Sequence, residues 1–99
     1  MSEQAQVPEV AHGAMRVVVV SPERSLFDGE ATAVVAPAYD GLVGILPRHA
    51  PFLSLLGRGE LRVRAADGER RFAVQGGFVQ VVRNVVRVVA EKAEVAAAG

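Results

Sequence analysis

The sequence predicts an all-β fold, a flattened antiparallel β-sandwich or barrel of about nine to ten short strands. Short apolar runs rich in valine recur along the chain, and β-branching disfavours the helical alternative. Turn-forming pairs such as Asp28-Gly29, Asp67-Gly68 and Gly76-Gly77 punctuate those runs at close intervals. No segment before Ala90 has helical periodicity.

The elements follow in order. Residues 1–14 lack periodicity, contain Pro8 and Gly13, and read as a mobile N-terminal tail. His12 in that tail reads as a solvated side chain, because a metal would need further ligands. Residues 15–20 (MRVVVV) form a first strand whose successive valines suit burial on both faces. Ser21-Pro22-Glu23 breaks it. Residues 25–27 are a short extended piece, Asp28-Gly29 a turn, and residues 30–36 a second long strand stopped by Pro37.

Residues 41–53 set Gly41, Gly44, Pro47, Pro51 and His49 among large apolar side chains. The prolines exclude a helix, restrict the residues before them and stiffen the backbone, so this is a rigid, bent, apolar loop. Such a loop is either a corner of the core or a docking surface.

Residues 52–56 (FLSLL) form a short apolar strand ended by Gly57 and Gly59. Residues 61–65 alternate apolar side chains with arginines, Asp67-Gly68 is a tight hairpin, and residues 71–75 are the return strand. Gly76-Gly77 marks a bend or a close backbone approach. Residues 78–82 and 85–90 make a last hairpin around Arg83-Asn84. Beyond it lie good helix formers, but isolated helices need about 12–15 residues, so at most one or two helical turns are expected. The division is therefore a tail at 1–14, a sandwich domain at 15–91 and a short C-terminal tail at 92–99.

Composition narrows the function. A chain of 99 residues makes one small domain. Eleven basic and eleven acidic side chains cancel, so no net field draws it to nucleic acid or anionic lipid. There is no cysteine for a disulfide or thiolate site. The N-terminal stretch does not read as a signal peptide, and no apolar stretch approaches the ~20 residues that span a bilayer. Solubility is expected, with membrane association only through a partner.

His49 is the one histidine of the folded region. Ser21, Ser25 and Ser54 are nucleophiles in principle and Asp28, Asp40 and Asp67 orienters, yet their spacing pairs none of them. A metal set, a phosphate loop and a dinucleotide fingerprint are all missing. No catalytic, cofactor or metal site is expected. Arg58, Arg62, Arg64, Arg70 and Arg71 make a basic hairpin face, but only Phe72 stands near them for base stacking, so it reads as a solvated face.

Several motifs together carry a family likeness. They are Val19-Val20-Ser21-Pro22-Glu23-Arg24, Leu26-Phe27-Asp28-Gly29-Glu30, Gly44-Ile45-Leu46-Pro47-Arg48-His49-Ala50-Pro51, the run from Phe72 through Gly76-Gly77-Phe78 to Val81, and Val88-Val89-Ala90-Glu91-Lys92-Ala93-Glu94. On these residues the chain resembles the ε subunits of F-type ATP synthases, in their N-terminal β-sandwich domain. The resemblance implies a non-catalytic part of the rotor's central stalk, bound to the γ subunit and to the c-ring, coupling proton-driven rotation to ATP synthesis. It places Ser21, His49, Ala50, Pro51 and Ser54 towards γ, and Tyr39, Asp40, Gly41, Leu42 and Val43 towards the c-ring. It also implies a peripheral position at the cytoplasmic face of a bacterial inner membrane.

Three departures stand out. The family usually continues into a C-terminal helical hairpin, which is expected to be absent from a chain ending at Gly99. Leu42 stands where an acidic residue is frequent, and Arg48 where glycine is usual. The alternative to a rotor part is a free-standing β-sandwich that binds a protein or small ligand without catalysis.

Overall fold

The computed structural model describes residues 13–96, and its secondary structure is seven β-strands. They are β1 (Met15–Val20), β2 (Ser25–Ala38), β3 (Gly41–Ile45), β4 (Phe52–Leu55), β5 (Arg58–Ala65), β6 (Gly68–Val82) and β7 (Val85–Val95). The all-β expectation holds, with fewer and longer strands than the turn signals suggested.

β2 and β6 each join two expected strands into one, while Gly41–Ile45, expected to be part of the bent loop, is a strand paired with β2. β2 runs straight through Asp28-Gly29, because β1 lies alongside with Val18 opposite Asp28 and Val17 opposite Gly29. Ladder pairing there outweighs the local turn preference. The Asp28 carboxylate instead meets the Arg16 guanidinium from the neighbouring strand at 3.0 Å. β2 also passes Pro37, whose carbonyl accepts a hydrogen bond from the Gly57 amide at 2.8 Å. β6 likewise continues through Gly76 and Gly77, at φ +72° and +100°.

The C-terminal expectation needs correction. Glu91 to Val95 continue β7 instead of starting a helical turn, with Ala93 opposite Val74 and Val95 opposite Phe72. Each added residue extends an existing ladder, whereas a one-turn helix would bear the whole cost of nucleation. The boundary expected at residue 91 therefore falls inside a strand. At the other end Ala14 is buried and tied to Asn84, so it belongs with the sandwich. Residues 1–12, with His12, and residues 97–99 lie outside the described residues.

Five strands close a circuit. β1 pairs with β2 antiparallel and with β7 in parallel; β7 then pairs with β6, β6 with β5, and β5 with β2. The parallel β1–β7 contact departs from the antiparallel expectation. β3 extends the circuit beside the later half of β2, and β4 beside the later half of β6.

Alternation explains the core. In β7, Val86, Val88 and Ala90 point inward while Arg87 and Glu91 point out. Val17, Val19, Val34, Ile45, Leu61, Val63, Val79 and Val81 meet them, and no polar residue is buried among the described residues. Burial of each such side chain contributes roughly 1.5–3 kcal/mol. The valine run of β1 is buried on one face only: Val17 and Val19 are enclosed, Val18 and Val20 half-covered.

Candidate functional site

A groove opens where β5 stops and β3 and β4 take over. One wall is the β2–β3 turn, from Ala38 to Val43; the other is β4, with Phe78 and Gln80 of β6 completing it. Turn and strand are joined by two backbone links: the Tyr39 amide donates to the Leu55 carbonyl at 3.0 Å, and Ala38 bridges to Leu56. Alternation along β4 half-buries Phe52 and Ser54 and turns Leu53 and Leu55 outward. Leu42 is 74% exposed, Tyr39 68%, Leu53 66% and Leu55 63%. Four large apolar side chains so close together form a patch of the kind that marks an interaction surface. The open groove has a volume of about 1040 Å³, at the upper end of the range of small-ligand clefts.

Residues Tyr39, Asp40, Gly41, Leu42 and Val43 all line this groove, and so does Ser54. His49, Ala50 and Pro51 do not. They lie on the loop that leads from β3 to β4, just before the groove wall. Ser21 stands apart, in the turn after β1, where its amide donates to the Arg24 carbonyl at 2.9 Å and its hydroxyl to Glu23 Oε1 at 3.2 Å. The structure thus gathers the residues assigned to the c-ring with one assigned to γ, and leaves Ser21 at a separate corner.

The loop is held tightly. The His49 amide donates to the Leu46 carbonyl at 3.1 Å, closing a turn with Arg48 at φ +66°. The Arg48 amide donates to Asn84 Oδ1 at 2.8 Å. His49 Nδ1 lies 2.7 Å from the Ala50 carbonyl, which can only accept, so this nitrogen carries the proton. The ring also meets Phe52 edge to face at 5.7 Å. His49 is thereby engaged in shaping the loop. No cluster of three or more His, Cys, Asp or Glu side chains that could hold a metal occurs among the described residues.

The arginine face of the β5–β6 hairpin is largely neutralised by near neighbours. Arg62 pairs with Glu60 at 3.0 Å, Arg70 with Asp67 at 2.9 Å and Arg71 with Glu69 at 3.3 Å. The Arg70 pair holds the Asp67 carboxyl below its ordinary pKa, through the hydrogen bond first and the charge second. Arg16 is raised by the equivalent bond to Asp28. All are exposed pairs and add little stability.

Leu53, Leu55, Phe78 and Asn84 are the site residues that sequence reading missed. In the run FLSL of β4 one face carries Leu53 and Leu55 and the other Phe52 beside the polar Ser54, the one sign that an apolar face would be left outside.

Comparison with known proteins assigns the fold. The family described as ATP synthase, Delta/Epsilon chain, beta-sandwich domain matches residues 14–96. The chain belongs to that family. Among curated members, the ATP synthase epsilon chain of Alkalilimnicola ehrlichii is 46% identical over 80 residues, covering 80% of this chain and 57% of that relative. The epsilon chain of Leptospira borgpetersenii serovar Hardjo-bovis is 39% identical over 77 residues, covering 78% and 61%. The chain therefore spans about three fifths of the curated relatives it matches. A chain of the Euglena gracilis mitochondrial ATP synthase, in a structure of OSCP, F1 and c-ring, superposes with TM-score 0.77 at 21% identity, covering 85% of this chain and 54% of that one. One from the Tetrahymena thermophila central stalk and c-ring superposes with TM-score 0.67 at 19% identity, covering 81% and 65%. At such identities these two solved structures speak for the fold alone.

Proposed function

We propose that this chain is an ε-type subunit of the central stalk of an F-type ATP synthase. It is a non-catalytic rotor part, binding γ and the c-ring and coupling proton-driven rotation to ATP synthesis. In this reading it sits at the cytoplasmic face of a bacterial inner membrane, held there by the complex. The observation that carries the reading is the apolar groove at one end of a closed β circuit, built from Tyr39–Val43 and β4. Exposed leucines on a rigid frame suit a docking surface that must transmit torque without yielding. Leu42 and its neighbours face the c-ring loops, while His49, Ala50, Pro51, Ser54 and Ser21 are directed to γ.

The test is co-purification of the chain with γ and with the c-ring. His49→Asp and Ser54→Arg are expected to weaken γ binding by about tenfold or more, and Leu42→Asp to weaken c-ring attachment similarly. Circular dichroism should be unchanged for Leu42→Asp, since that side chain is already mostly in water. Binding unaltered in all three variants refutes the assigned surfaces. Failure of the wild type to bind either partner returns the chain to the free-standing module.

A further inference from the structure

Asn84 ties its own turn to two segments remote in sequence, the start of β1 and the loop after β3. Its main-chain carbonyl accepts from the Arg16 amide at 3.1 Å, at the start of β1. Its side-chain Oδ1 accepts from the Arg48 amide at 2.8 Å, across 36 positions. Its Nδ2 donates to the Ala14 carbonyl at 2.9 Å, across 70 positions. The amide orientation is dictated by the partners, because a flip would set oxygen against a carbonyl and nitrogen against an N–H. Asn84 itself sits at φ +66°, a conformation asparagine tolerates better than most residues.

Arg48 is where the loop most needs holding. It too is at φ +66°, which costs a residue with a Cβ, and it directly precedes His49, Ala50 and Pro51. We propose that Asn84 is a positioning residue for the docking loop: it locks the Arg48 turn and so presents His49, Ala50 and Pro51 to the partner in one conformation. The functional part of this rests on the γ-docking reading; the lock does not. A pre-ordered loop loses less conformational freedom on binding, so the lock raises affinity without touching the partner. The side-chain chemistry is specific. Glycine accepts the backbone angle but offers neither bond, whereas aspartate keeps the acceptor for Arg48, loses the donor to Ala14 and sets its second oxygen against that carbonyl, so any local loosening in the aspartate variant is expected at Ala14 and not at Arg48.

The full chain should therefore be compared as wild type, Asn84→Gly and Asn84→Asp, by amide hydrogen exchange and by γ binding. In Asn84→Gly the Arg48 amide is expected to exchange about tenfold faster, with Val88 unchanged, and γ binding to weaken by a similar factor. Asn84→Asp should keep Arg48 protected and restore binding, which a merely structural substitution at a turn would not do. Unchanged Arg48 exchange in the glycine variant overturns the lock, as does an aspartate variant that matches it. Faster exchange with undiminished γ binding overturns the positioning role. A wild type that binds no γ overturns the docking reading instead, and the exchange result still decides the lock.

Discussion

Replacing Gly77 by alanine tests the geometry that lets β6 pass from β5 to β4 along one edge while pairing with β7 along the other. Gly77 lies opposite Ala90 of β7 at φ +100°, and its carbonyl accepts from the Leu56 amide at 3.0 Å. A Cβ added there would stand 1.9 Å from the Val89 carbonyl oxygen and 2.9 Å from Ala90 Cα. The first is about 1.5 Å inside an ordinary van der Waals contact, and the obstacle is backbone that has no rotamer to change. Two costs follow: positive-φ strain of about 1–2 kcal/mol, and displacement of a packed strand at about 1–3 kcal/mol. Together they come to about 3 kcal/mol, a large part of the ~5–15 kcal/mol that holds a small domain folded. With a urea dependence of ~1 kcal/mol per molar, the denaturation midpoint should fall by roughly 2–3 M. Gly44→Ala is the control, since nothing lies within 4 Å of its added carbon and its φ is ordinary. It should raise the midpoint slightly, by ~0.4–1 M, because alanine lowers the freedom of the unfolded chain without strain in the folded one. A shift for Gly77→Ala of less than ~0.5 M would refute the reasoning.

Two further outcomes follow from single residues. Arg48→Gly should stabilise the isolated sandwich by about 0.5 kcal/mol, because relief of left-handed strain exceeds the glycine's added unfolded-state freedom; urea denaturation that reports a loss would contradict the assigned turn. Asp67 is depressed by Arg70, so its contribution to stability is present above the ordinary aspartate pKa of about 3.9 and disappears as pH falls through the lower folded value. An NMR titration at low salt should place the Asp67 midpoint below that ordinary value and Arg70→Met should raise it. A midpoint that Arg70→Met leaves in place removes the pairing as its cause.

Local patterns carried the strands well. The alternation of Leu61 to Ala65 is the observed parity of β5, and a tight hairpin does join β5 to β6 there, one residue earlier than the Asp67-Gly68 dipeptide suggested: Ala66 and Asp67 make the turn and Gly68 opens β6 opposite Ala65. The same dipeptide at Asp28-Gly29 does not turn, and the difference lies in β1, which passes opposite and is invisible to any local window. β1 against β7 was illegible for the same reason. The groove was half legible: the stretch from Tyr39 to Val43 stood out by resemblance, while Leu53 and Phe78 were readable only as strand residues, because nothing local shows that β5 begins at Arg58 and leaves them uncovered. Asn84 was readable only as a turn residue. Its bonds to Ala14 and Arg48 depend on closure of the whole circuit.

That closure governs the order in which the fold can form. The β2–β3, β5–β6 and β6–β7 hairpins join neighbours in sequence and can assemble early. β1 is different: after β2, its second neighbour is the strand beginning at Val85, from the other end of the sequence. During synthesis the first strand must wait, with one hydrogen-bonding margin bare, until almost the whole sandwich has emerged from the ribosome. Joining such distant segments is the slow step of β folding and the one most exposed to wrong partners. The β1–β7 ladder and the Asn84 bonds to Ala14 and Arg48 thus require residues from Asn84 onward, and neither can form on a nascent chain that lacks them.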